Sequence, residues 1–277
     1  MRSKIRIVQN CFHENQIPGC QFEPYLNRLP ILADESHLFF ESDVISKLVR
    51  GHWHAECDFF GVLGYRWNEK LNEAKSKERS LPIRNLSKDL LSKEHVERFV
   101  ERNSDADFLS LGRFIPHSVF LLGDKLHPGL LHTTGRLLEA IGVRFNLKRI
   151  IRQPIYFNSF IARSASIESY VNEILHPVIQ AAINDPNLRA LCFQDAGYFR
   201  KFRPELERLY GISYYPLHPF IGERLVNVYT MLAGSKIVSF DQNSSQCGVS
   251  SMTSSIEFCM RSTCWNWFTL RAWRLRM

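Results

Sequence analysis

The segment Cys57-Asp58-Phe59-Phe60-Gly61-Val62-Leu63-Gly64-Tyr65-Arg66-Trp67 constrains the fold of this chain more than any other. Phe and Val favour a pleated, buried setting, and a run this short and this apolar is the pattern of a strand covered on both faces. Gly61 and Gly64 allow another backbone or a ligand to come close. The run predicts a strand over 58–65, with Tyr65, Arg66 and Trp67 at its carboxyl end. In open α/β sheets that is the end where ligands bind. An Arg beside two aromatic rings suits a phosphate paired to the guanidinium and a ring stacked on a base or sugar. A core strand followed by an ordinary amphipathic turn has the same sequence pattern.

The rest of the chain alternates strand and helix patterns. Residues 4–10 alternate like a first strand closed by Gln9 and Asn10. Asp34 to Leu48 reads as a helix, with Leu38, Phe39, Ile45 and Leu48 on one face. Residues 68–84 are polar, and Ser87 to Val100 is again helical. Strands are predicted at 107–111 and 155–162. A helix over 130–141 is stopped by Gly142. A long helix runs from Ser166 to about Asn184 and should bend or split at Pro177. Residues 188–193 fit a helix end or a strand, 206–210 end a helix at Gly211, and 223–233 form a helix. Such alternation predicts a mostly parallel α/β sheet flanked by helices. Composition shifts near residue 236 to a Ser-rich stretch with three of the seven cysteines and a Trp/Arg cluster, Trp265, Trp267, Arg271, Trp273, Arg274 and Arg276. Residues 1–235 are read as one α/β domain and 236–277 as an atypical tail, either an interfacial membrane contact or a loosely attached end.

The 277 residues suffice for one large α/β domain, and shares of 45% hydrophobic and 23% charged residues exclude a disordered chain. No apolar run is long enough for a membrane span, and the basic start (Arg2, Lys4, Arg6) has no signal-peptide h-region. The expectation is a cytoplasmic protein. None of the seven cysteines falls in a CxxC pair, so neither a zinc knuckle nor a disulfide framework is indicated. The net charge of +7 favours an anionic partner, but the basic residues are scattered and no nucleic-acid motif is present, so no nucleic acid is expected.

Two patches carry a family resemblance. "AECDFFGVLGYRWNEK" (55–70), preceded by the loop Ile17-Pro18-Gly19, resembles the strand "aDYIGlcHYRRYF" that follows a similar "IPG" loop in bacterial capsular-polysaccharide and lipopolysaccharide-type glycosyltransferase-like proteins. "YPLHPFIGERL" (215–225) resembles their later "GF-ERL" helix start. Where the family has His-Tyr-Arg-Arg, this chain has Gly64-Tyr65-Arg66-Trp67, without the imidazole and the second arginine. The resemblance implies a Rossmann-like sheet of GT-A type and transfer of a sugar from a nucleotide-sugar to a surface polysaccharide, capsule or lipopolysaccharide precursor. It also implies a place at the cytoplasmic face of the membrane, where the Trp/Arg tail, read as an interfacial element, would make peripheral contact with anionic lipid. The reading from another class is a non-catalytic carbohydrate- or partner-binding protein on the same scaffold.

Sugar transfer requires neutralisation of the leaving diphosphate and a base near the acceptor hydroxyl. Asp105-Ala106-Asp107 has the D-x-D form that can hold Mn²⁺ or Mg²⁺; a helix-to-strand turn capped by Asp105 looks the same. His127 stands at a helix N-terminus that favours phosphate, or packs against Pro128. Gln9, Asn10, Gly61, Tyr65, Arg66, His127, Asn158 and Arg224 are the candidate donor-binding residues, with Tyr156 and Ser159 as further sugar contacts. Asp195, Glu223 and His218 are the candidate catalytic groups; Asp195 equally fits a turn, and Glu223 a helix dipole.

Overall fold

The computed structural model describes residues 3–12, 14–27, 39–64, 93–111, 118–155, 158–197 and 214–239. Tyr65, Arg66, Tyr156, the helix expected to end at Gly211 and the Trp/Arg cluster lie outside them.

Six strands form one mixed sheet: β1 Ile5–Cys11, β2 Glu23–Leu26, β3 Phe59–Gly64, β4 Phe108–Ser110, β5 Phe160–Arg163 and β6 Ile237–Ser239, in the order β2-β1-β3-β5-β4-β6. Pairings β1–β2, β1–β3 and β4–β6 are parallel, whereas β5 runs antiparallel to both β3 and β4. The predicted strand at 58–65 is β3, and all six of its residues are buried. Full burial of Phe59, Phe60, Val62 and Leu63 contributes about 1.5–3 kcal/mol each.

The sheet is mostly parallel, as expected, with β5 as the exception. The connection from β4 holds two helices, α3 Val119–Leu126 and α4 Leu130–Ala140. The chain re-enters the sheet from the carboxyl edge, where Leu111 N–H donates to Ser159 O at 2.9 Å, so β5 runs reversed. The strand expected at 155–162 starts at Phe160. Ile155 is instead gripped by the buried Asn227, whose Oδ1 accepts its N–H and whose Nδ2 donates to its carbonyl, both at 2.8 Å.

Helices cover both faces. On one lie α1 Glu41–Arg50, α3, α4, α5 Ser164–Tyr170, α6 His176–Asn184, α7 Pro186–Cys192 and α8 His218–Leu232, packed on Val8, Phe60, Val62, Phe108, Phe160 and Ala162. On the other, α2 Lys93–Arg102 buries Val96, Phe99 and Val100 against Ile7, Phe59, Leu63, Leu109 and Ile161. In α1 the buried Val44, Ile45, Leu48 and Val49 recur at helical spacing.

Local signals hold where the chemistry is local. After α4, Gly142 has φ +73°, its N–H donates to Glu139 O (2.9 Å), and Val143 N–H donates to Leu138 O (2.9 Å). This is the two-bond stop a left-handed glycine makes possible. Pro177 has no N–H for the carbonyl four residues back, and a π-helical turn, Val171–Leu175, precedes it between α5 and α6. Strand β6 lies beyond the compositional boundary near 235. A backbone ladder is indifferent to side-chain composition, and three residues of the Ser-rich stretch pair with β4. Among the described residues no helix is long and apolar enough to cross a membrane.

Candidate functional site

Strand β1 is flanked by β2 on one side and β3 on the other, both parallel to it. The connection from β1 leads to one side and that from β3 to the other, so the strand order reverses between them; in open α/β sheets ligands bind at the carboxyl ends of such strands. Asn10 and Gly64 stand there as register partners on the same face of the sheet.

Asn10 is fully buried, and among the described residues neither its Oδ1 nor its Nδ2 has a hydrogen-bond partner. Such a group costs about 1–3 kcal/mol, and in native proteins it asks for an explanation. Beside it, a Cβ on Gly64 would overlap the Glu41 carboxylate at the start of α1. The glycine is what lets that carboxylate lie on the strand end.

The same edge carries more buried oxygen without a partner. Ser110 ends β4 and Ser239 ends β6, register partners on the face of Asn10, and both Oγ atoms are unpaired. Because β5 is reversed, the residues before it arrive at this edge too. Asn158 has φ +51°, donates from Nδ2 to Ser42 Oγ at 3.1 Å, and has an unpaired Oδ1. Asn10, Asn158, Ser110 and Ser239 thus form a polar row along the carboxyl edge, roughly 19 Å from β1 to β6 at normal strand spacing. Helices α1 and α8 both turn their N-termini to this edge. Gly222 of α8 packs on Ser42 and Phe39, and Phe39 N–H donates to His218 Nδ1 at 2.9 Å.

A second group adjoins the start of α8. His127 stacks on Phe220, with centroids 3.6 Å apart, and places Nδ1 3.2 Å from Ala196 O. A carbonyl only accepts, so Nδ1 carries the proton. Burial pushes the His127 pKa down to about 4, partly offset by that carbonyl. Asp195 is exposed and closes a turn on Gly197 N–H (2.9 Å), while its backbone bridges to Pro216. His218 is sealed among Phe39, Phe40 and Phe193, and burial pushes its pKa down to about 3. With Nδ1 accepting an amide proton, His218 is a neutral support of the Phe39 backbone. Arg224 donates to Val119 O (3.3 Å) and Phe220 O (2.6 Å), joining α8 to α3, with Glu223 Oε2 4.0 Å away.

The structure therefore gathers Asn10 and Asn158 along one edge, and His127, Asp195, His218, Glu223 and Arg224 around the start of α8. Gln9 faces the other side of the sheet, where its Oε1 accepts Gln21 N–H at 2.9 Å. Gly61 lies mid-strand, where a Cβ would stand 2.9 Å from Ile161 Cγ1, so it serves strand packing. Asp105 and Asp107 precede β4 at the opposite, amino edge. Asp107 Oδ2 accepts Lys236 N–H (2.8 Å) and Asp105 pairs with Lys236 Nζ. Lys236 holds the Asp105 carboxyl below its usual range. Among the described residues no group of three or more His, Cys, Asp or Glu is placed to hold a metal. Glu41, Ser42, Ser110 and Ser239 were missed from sequence. Ser110 lay inside the strand predicted at 107–111 but was not singled out.

No protein-family model, curated protein or solved structure matches the chain.

Proposed function

We propose that the chain binds a nucleotide-sugar at the carboxyl ends of β1 and β3 and transfers the sugar to a polysaccharide or lipopolysaccharide precursor, on a Rossmann-like sheet of GT-A type. One observation carries the reading: the buried, unpaired carboxamide of Asn10 at the point where the strand order reverses, beside Gly64 and the Glu41 carboxylate. A ligand with adjacent donor and acceptor atoms would satisfy both ends of that amide. The N-terminus of α8, without a carboxylate in its first turn, favours a diphosphate, and Arg66, two residues past Gly64, is the cation the family resemblance implies for it. Glu41 is a carboxylate at this edge that would take the acceptor hydroxyl's proton. Asp105 and Asp107 do not fit a metal that bridges the donor diphosphate: Lys236 occupies both, and they lie across the sheet from Asn10.

The reading as a non-catalytic carbohydrate- or partner-binding protein is favoured by one observation. Both candidate-site histidines, His127 and His218, are neutral and engaged with backbone groups. Calorimetric titration with UDP, GDP and CMP, followed by hydrolysis assays with the corresponding sugar donors, separates the two. Nucleotide binding with donor turnover supports the transferase. Sugar binding without nucleotide binding would replace it with the binding module, and neither would sink both.

A further inference from the structure

We propose that Cys11 and Cys20 are a redox-modifiable pair that closes to a disulfide, clamping the turn Glu14–Gly19 onto the carboxyl end of β1, next to Asn10. Cys11 is the last residue of β1, and Cys20 follows the 3-10 turn Glu14–Gly19. Their sulfurs lie 3.2 Å apart, so an approach of about 1 Å reaches the bonded distance near 2.05 Å.

The backbone holds both residues independently of the sulfurs. Cys11 O accepts Asn27 N–H at 2.8 Å and Cys20 N–H donates to Ile17 O at 3.0 Å. Phe12 N–H donates to Gln16 Oε1 (2.7 Å) and Gln21 N–H to Gln9 Oε1 (2.9 Å). The buried Gln9 thus has a structural task, positioning the segment that presents Cys20.

The two thiols are unequal. Cys20 is half-buried, whereas Cys11 is fully buried. Burial, with Cys20 alongside, pushes the Cys11 thiol up to about 12. An oxidant therefore meets Cys20 first. With a small-molecule disulfide RSSR, the Cys20 thiolate attacks one sulfur, forming a mixed disulfide and expelling RS⁻. Capping Cys20 removes its own contribution to the raised Cys11 pKa. Cys11 then gives its proton to the expelled RS⁻, attacks the Cys20 sulfur and expels the second RS⁻. Two cysteine thiols are oxidised to one disulfide, and one RSSR is reduced to two thiols.

The bond does not depend on the glycosyl-transfer reading, and its test reads mass alone. Trypsin cuts after Arg6 and Arg28, so residues 7–28 leave as one peptide with both cysteines. The full chain is treated with oxidised glutathione, unfolded, alkylated with N-ethylmaleimide and digested. The expected peptide is lighter than its reduced form by two hydrogens and carries no alkyl group. Dithiothreitol before alkylation should restore the doubly alkylated form. In Cys11→Ser, glutathione should remain on Cys20; in Cys20→Ser, Cys11 should stay alkylated. Double alkylation of the oxidised wild type, glutathione persisting on its Cys20, or a link from Cys20 to another cysteine would each overturn the proposal.

Discussion

Asn158 donates a hydrogen bond to Ser42 at 3.1 Å, and so ties the approach to the reversed strand β5 to the first turn of α1. The contact spans 116 residues of chain and costs Asn158 a left-handed backbone, φ +51°. Asn tolerates that conformation better than most residues. It leaves Oδ1 buried without a partner at the edge where Asn10 is also unpaired.

Asn10→Leu tests whether that edge is built for a ligand. Leu has the same branched heavy-atom skeleton and removes two unsatisfied polar atoms, so stability should rise by about 1 kcal/mol while nucleotide-diphosphate affinity is lost. Urea unfolding and calorimetry read the two effects. A clear loss of stability would mean that the carboxamide has a structural task and no vacancy to fill.

The two glycines of β3 should part ways. Gly61→Ala drives a methyl against Ile161 Cγ1 (2.9 Å) and Phe160 O (3.2 Å), at a cost of about 1–3 kcal/mol. Gly64→Ala displaces only the end of the flexible Glu41 side chain. Its stability should change by less than about 1 kcal/mol, but nucleotide-diphosphate affinity should fall at least about tenfold. Equal destabilisation of the two variants would contradict this division.

Acid should unfold the protein through its buried histidines. His218 and His127 are held neutral by burial, with pKa about 3 and about 4, and in the unfolded chain they titrate near 6.5. Between these limits the unfolded state binds more protons than the native one. Stability is thus full above about pH 6.5 and falls as pH drops toward 4, by up to about 1.4 kcal/mol per pH unit for each histidine. Urea midpoints across that window should show the slope, and His218→Gln should remove about half of it. A flat profile would show that neither ring is sealed from water.

Asp107→Ala removes the acceptor for Lys236 N–H at the entry to β6 and should cost about 1 kcal/mol. Asp105→Ala removes an exposed ion pair and should leave the melting temperature unchanged at physiological salt. Neither should alter nucleotide affinity, with or without Mn²⁺, because both residues lie at the amino edge. A Mn²⁺-dependent loss of binding in either variant would put a metal there after all.

Much of the sheet was legible because its signals are local. The apolar run of β3, the alternation of β1, the glycine stop after α4 and the disturbance at Pro177 follow from side-chain periodicity and backbone chemistry within a few residues. Strands β2 and β6 gave little signal: Glu23–Leu26 contains a proline and a glutamate, and Ile237–Ser239 has only three residues. Of the site, Asn10 was legible as a polar residue closing a strand and Asn158 as a polar break inside the strand expected at 155–162.

The amino-acid sequence by itself determined that this is an alternating α/β chain with a buried strand within 58–65 and polar groups where strands end. Tertiary structure alone decided which polar groups share an edge. The D-x-D pair and Asn10 look equally functional as residue types, but one sits where strands begin and the other where they end. Cys11 and Cys20 look unrelated by spacing, yet a turn brings their sulfurs to 3.2 Å. Periodicity fixes the direction of a side chain relative to its own element; strand order, strand polarity and loop closure fix which side chains meet, and those depend on contacts between residues far apart in the chain.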